Sequence, residues 1–92
     1  MTAEDDPVAL PIGPELDLHP FLPRDIPSVV AEYVTAAADA GVEEVRIVHG
    51  RGRGVQRGIV QAALDRHPRV REFWDDTASH LGATIARLSR HG

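Results

Sequence analysis

Leu16-Asp17-Leu18-His19 alternates apolar and polar side chains, the two-residue period of a half-buried strand. Leu16 and Leu18 would face a core, with Asp17 and His19 on the opposite face. Pro20 and Pro23 end this pattern, and the period then changes. Val29, Val30, Tyr33, Val34, Ala37 and Ala38 recur at helical spacing, with Asp25 as the N-cap, Pro27 in the first turn and Gly41 just past the end. Residues 45–49 (VRIVH) are a β-branched apolar run bounded by Gly50, as expected of an interior strand. The turn Gly50-Arg51-Gly52-Arg53-Gly54 leads into a second helix over about 55–67, stopped by Pro68. Residues 70–74 read as a third strand. Residues 83–88 (ATIARL) read as a fourth, although Ala, Arg and Leu are good helix formers and a helix stays open there. The acidic segment 1–14 is a tail with room for a short edge strand at 8–12, limited by Pro11 and Pro14, and 89–92 is a second tail.

The order β-α-β-α-β-β predicts a two-layer α/β sandwich with a mixed four-stranded sheet. A strand, a helix and a further strand over 16–49 make the two strands parallel. Their last residues, His19 and His49, then meet at the carboxyl edge of the sheet, where open α/β sheets bind ligands.

Charge changes the picture more than composition does. The 92 residues carry a net charge of −4, which taken alone argues against a general nucleic-acid binder. Residues 46–71, however, hold seven arginines (46, 51, 53, 57, 66, 69 and 71) against Asp65 alone. Residues 1–45 hold ten acidic side chains and one arginine. Arginine is the side chain suited to bidentate phosphate contacts, so the basic stretch marks an anion-binding surface. The chain has no cysteine, which removes disulfides and thiolate metal sites. It also has neither a long apolar run nor a basic, apolar leader. The expectation is a cytoplasmic monomer away from membranes.

Two clusters carry candidate chemistry. Asp17 and His19 can pair, the carboxylate fixing the imidazole tautomer. The turn 50–54 brings amides and arginines to the start of a helix, an arrangement that attracts a phosphate. Gly50, Arg51, Gly52, Arg53, Gly54 and Arg57 are its candidate contacts. The pattern is neither a Walker A loop nor the dinucleotide fingerprint. His67, at a helix end, and His80 and His91 stand outside this set. Trp74 at a strand end could stack on a base, but a core or edge anchor is the preferred reading.

Leu16-Asp17-Leu18-His19, the run from Val45 to Gly54 and Gly82-Ala83-Thr84-Ile85 resemble the LDLHG, HGxGxG and GAT hallmarks of the Smr (small MutS-related) domain family. The resemblance covers about residues 15–88. It implies a fold similar to the C-terminal domain of bacterial translation initiation factor three, and an endonuclease that nicks DNA or cleaves RNA, in some members on ribosomes. It places Asp17, His19 and His49 as catalytic residues, with His19 and His49 as acid and base or one of them as a ligand. A divalent ion such as Mg²⁺ or Mn²⁺ on Asp17, His19 and His49 is one option, and a metal-free path through an RNA 2′-OH is the other. Pro20 replaces the family's glycine, and Ser79-His80-Leu81 stands where many members have Gly-Gly-Trp. The rival expectations are a non-catalytic RNA or DNA module, a small phosphate or nucleotide site, and a protein-binding surface on the acidic first helix.

Overall fold

The computed structural model describes residues 14–50, 54–79 and 82–89. Strand β1 (Glu15–Asp17) buries Leu16 between two exposed neighbours. The Leu18 amide still donates to the Val48 carbonyl at 2.9 Å, which keeps Leu18 in the core beyond the strand's end. His19, expected as the last residue of this strand, lies in the turn after it. There its amide donates to the Asp17 carboxylate at 2.9 Å.

A 3-10 turn over Pro23–Asp25 runs directly into α1 (Ile26–Asp39). Asp25 makes no side-chain capping bond. The preceding turn already gives it near-helical angles, φ −92° and ψ −11°, instead of the extended backbone a cap residue uses. At the other end Gly41 takes φ 86°. Val42 N–H donates to Ala37 O at 2.9 Å and Gly41 N–H to Ala38 O at 3.0 Å, the paired bonds of a Schellman motif.

Strand β2 (Glu44–Val48) begins and ends one residue earlier than the sequence pattern suggests, because Glu44 pairs with Arg87. Helix α2 (Val55–Arg66) is followed by the edge strand β3 (Val70–Asp75), with a register irregularity between Val70 and Glu72. Residues 83–88 form a strand, β4 (Ala83–Leu88), and not a helix, since it finds partners on both sides. The order across the sheet is β1-β2-β4-β3. β1 and β2 are parallel and the other pairs antiparallel, so the sheet is mixed, as expected.

Alternation along the strands puts Leu16, Val45, Ile47, Ala86 and Leu88 into one core with α1 and α2. Glu15, Arg46, Ile85 and Trp74 line up across the other face. There Trp74 is 38% exposed, with the Arg87 guanidinium 5.8 Å from its ring centre, so it is a partly open face residue and not a core anchor. No helix among the described residues is long and apolar enough to cross a membrane. The candidate edge strand at 8–12 lies outside the described residues.

Candidate functional site

Parallel pairing of β1 with β2 places the turn after Asp17 beside the turn after Val48. Asp17, His19, Val48, His49, Gly50 and Gln56 line one recess of about 280 Å³ at this carboxyl edge. Asp17 and His19 are exposed. The expected carboxylate–imidazole pair is replaced by a local one, in which the Asp17 carboxylate holds the backbone amide of His19. The Asp17 side chain therefore shapes the turn that presents His19.

His49 is held differently. It is only 7% exposed, and both of its ring nitrogens have partners. Nδ1 lies 3.0 Å from the Gly50 carbonyl and Nε2 lies 2.9 Å from the Thr84 hydroxyl. A carbonyl can only accept, so Nδ1 carries the proton and Nε2 accepts from Thr84. Burial pushes the His49 imidazole below its ordinary pKa; the Gly50 carbonyl works against this and the Arg57 charge adds to it. The amides of His49 and Gly50 both donate to the Gly82 carbonyl, at 3.0 and 2.9 Å. The Gly50 amide, one of the expected phosphate contacts, is thus spent within the fold.

Gly50 and Gly54 both take φ 86°, a left-handed backbone that glycine adopts at no steric cost. Gly54 is the residue from which α2 starts, and no side chain caps that end. Arg51, Gly52 and Arg53 lie outside the described residues. Arg57 pairs with Asp75, with Nε and Nη2 each 2.7 Å from a carboxylate oxygen. This contact holds the Asp75 carboxyl below the usual range. Arg46 and Arg69 of the basic stretch are likewise paired, with Glu15 and Asp76 and with Asp39.

Among the described residues no group of three His, Asp or Glu side chains is arranged to hold a metal ion. With both His49 nitrogens in hydrogen bonds, Asp17, His19 and His49 are not arranged as a ligand set. His67 ties the helices together: its Nδ1 accepts from the Arg69 amide at 3.0 Å, and its Nε2 lies 3.2 Å from the Ala31 carbonyl and 3.0 Å from the Thr35 hydroxyl of α1.

The sequence assigned no role to Gln61 or Asp75, and Thr84 entered only as part of the GAT motif. Gln61 Nε2 donates to Thr84 at 3.1 Å and to Asp75 at 3.0 Å, which completes a chain of polar contacts from His49 to Arg57. One signal for it was present. Alternation in 83–88 puts Thr84 on the same face as Ala86 and Leu88, and a polar group on a buried face needs a partner.

The sequence profile of the Smr domain matches residues 16–89. The chain belongs to the Smr domain family. This Smr domain is 37% identical over 79 residues to Endonuclease MutS2 of Halalkalibacterium halodurans, covering 84% of the chain and 10% of that protein. It is 39% identical over 61 residues to Endonuclease MutS2 of Caldicellulosiruptor bescii, covering 64% of the chain and 8% of that protein. The chain thus spans about a tenth of the length of these relatives. The crystal structure of the Smr domain of Thermus thermophilus MutS2 matches with a TM-score of 0.75 at 28% identity, over 83% of this chain and 98% of that one. YdaL, a stand-alone small MutS-related protein from Escherichia coli, shares the fold with a TM-score of 0.76 at 22% identity, over 90% of this chain and 70% of that one.

Proposed function

We propose that this Smr domain is a nucleic-acid phosphodiester endonuclease acting at the carboxyl edge of β1 and β2. The observation that carries the reading is the single recess shared by Asp17, His19, His49 and Gly50, two sequence clusters some thirty residues apart. His19 is the exposed imidazole of that recess, so it takes the proton from the attacking hydroxyl (water, or the 2′-OH in RNA) or returns one to the leaving oxygen. Asp17 holds the turn that aims it. His49 forms the recess wall and fixes the start of the glycine turn. Arg51 and Arg53, with the open end of α2, hold the scissile phosphate and the charge that grows on it. Relationship to proteins named Endonuclease MutS2 supports the nuclease reading.

The test is incubation of pure protein with labelled RNA and DNA, with Mg²⁺, with Mn²⁺ and with chelator. His19→Ala should lower cleavage by about 10²–10⁴-fold, the usual range for a lost acid–base group. Arg51→Ala and Arg53→Ala should weaken binding and flatten its dependence on salt. Arg87→Gln, on the open face, serves as the control. Cleavage untouched by His19→Ala would remove the assignment.

A second reading is favoured by one observation: both His49 nitrogens are occupied and Arg57 is already paired. It is a module that binds nucleic acid without cutting it. Salt-sensitive binding by wild type, with no cleavage under any of these conditions, would select it.

A further inference from the structure

The polar chain behind His49 runs in one direction only. Asp75 is its fixed end, a carboxylate that only accepts and is gripped by Arg57 at 2.7 Å through both oxygens. Gln61, 3.0 Å from Asp75 Oδ1, must therefore turn its amide nitrogen toward that oxygen. The same nitrogen lies 3.1 Å from the Thr84 hydroxyl, so Thr84 receives a hydrogen from Gln61. Its own hydrogen is then free to go to His49 Nε2, 2.9 Å away. Thr84 is completely buried, out of reach of bulk solvent. At the far side of the ring, the Gly50 carbonyl demands a proton on Nδ1. Both ends of the chain specify one state of the imidazole.

We propose that the Arg57–Asp75 ion pair, acting through Gln61 and Thr84, holds His49 neutral with its proton on Nδ1, which makes Asp75, Gln61 and Thr84 positioning residues of the candidate site. A second proton on Nε2 would point at a hydroxyl hydrogen. To accept it, Thr84 would have to turn its hydrogen away while Gln61 still donates to the same oxygen. The neutral ring keeps its bond to Gly50 O and so holds the first carbonyl of the glycine turn in place. The consequence for cleavage rests on the endonuclease reading: His49 stays a fixed wall while His19 exchanges protons. The arrangement of the ring itself does not rest on that reading.

The charged and titratable groups around the imidazole are Arg57 from α2, Asp75 from β3, and Asp17 and His19 across the recess. Gln61→Met changes none of these charges, yet it removes the donor to Thr84 while keeping similar bulk. The hydroxyl oxygen then has one donor fewer aimed at it and accepts more readily from a protonated Nε2. Simple burial predicts no rise in this variant. The relay predicts that the His49 titration midpoint rises by about one pH unit, a tenfold gain in proton affinity.

The experiment is nitrogen-15 NMR of the histidine rings of the whole chain, titrated with pH without nucleic acid. Wild type should show His49 with a protonated Nδ1 and a bare Nε2 at neutral pH. Gln61→Met should raise the midpoint, and Thr84→Ser, which keeps the hydroxyl, should reproduce wild type. A protonated Nε2 in neutral wild type would overturn the proposal without any variant. So would a midpoint that stays or falls in a folded Gln61→Met protein. Absence of cleavage by wild type would instead remove the endonuclease reading and leave the ring state as measured.

Discussion

Helix α1 buries Ile26, Val30, Tyr33, Val34, Ala37 and Ala38, whereas α2, two residues shorter, buries only Val60, Ala63 and Leu64. What α2 lacks in apolar surface it replaces with Arg57 and Gln61, one helical turn apart, bonded to Asp75 on β3 and Thr84 on β4. The two helices cover one sheet by different physics. Burial of hydrocarbon is non-directional and tolerates small shifts. A hydrogen-bonded chain fixes distances and proton positions, and fails when one member is lost. The site edge is built against the second kind of support.

The largest expected effect lies in the apolar half. Ile26→Ala removes a fully buried side chain and should cost about 2–5 kcal/mol in chemical denaturation, enough to threaten folding in a domain this small. A cost under 1 kcal/mol would mean that α1 is not held by its apolar face. In the polar half, Thr84→Val keeps the shape but strands His49 Nε2 and one Gln61 hydrogen, and should cost about 1–3 kcal/mol. Hydrogen exchange should then quicken in α2 before α1; equal acceleration in both would dissolve the contrast.

The pH response separates the halves further. Because burial lowers the His49 pKa, the unfolded chain takes up a proton near the ordinary value of 6.5 while the folded chain does not. Stability should therefore fall as the pH drops below about 6.5. Asp75, held low by Arg57, adds a further loss below its ordinary value of 3.8. The opposite limb belongs to α1. Burial, aided by the Glu15 charge, raises Tyr33 from 10.0 to about 12, so the unfolded state ionises first and stability declines above pH 10. Tyr33 is the sole tyrosine, so phenolate absorbance reads it directly. A midpoint near 10 in the folded protein would contradict its burial. The smallest effect is expected for Arg87→Gln, whose ion pairs with Glu44 at 3.7 Å and Glu72 at 3.6 Å are exposed; it should stay within about 0.5 kcal/mol.

The apolar half was legible along the chain because its periods are local. The α1 stripe, Gly41 as its terminator and the Leu16/Leu18 alternation all reappear in the structure. Parallel pairing of β1 with β2 followed from the helix between them. The polar half was not legible in the same way. Thr84 reaches His49 only because β4 inserts between β2 and β3, setting Thr84 opposite Ile47. The Arg57 ion pair could not be foreseen because nothing near it in sequence announces Asp75, eighteen residues away. The Asp17 carboxylate was expected on an imidazole, but the turn after β1 offered it the nearer backbone amide of His19.

The irregular register between Val70 and Glu72 has a consequence for how this small sheet meets other chains. β3 is an outer strand, and a regular outer strand offers a ladder of donors and acceptors to any extended polypeptide that drifts past. A break at its start, with Arg71 and Glu72 exposed beside it, interrupts that ladder and places charge along it. Strand addition at this border is thereby discouraged, which guards the domain against sheet-to-sheet aggregation at high concentration.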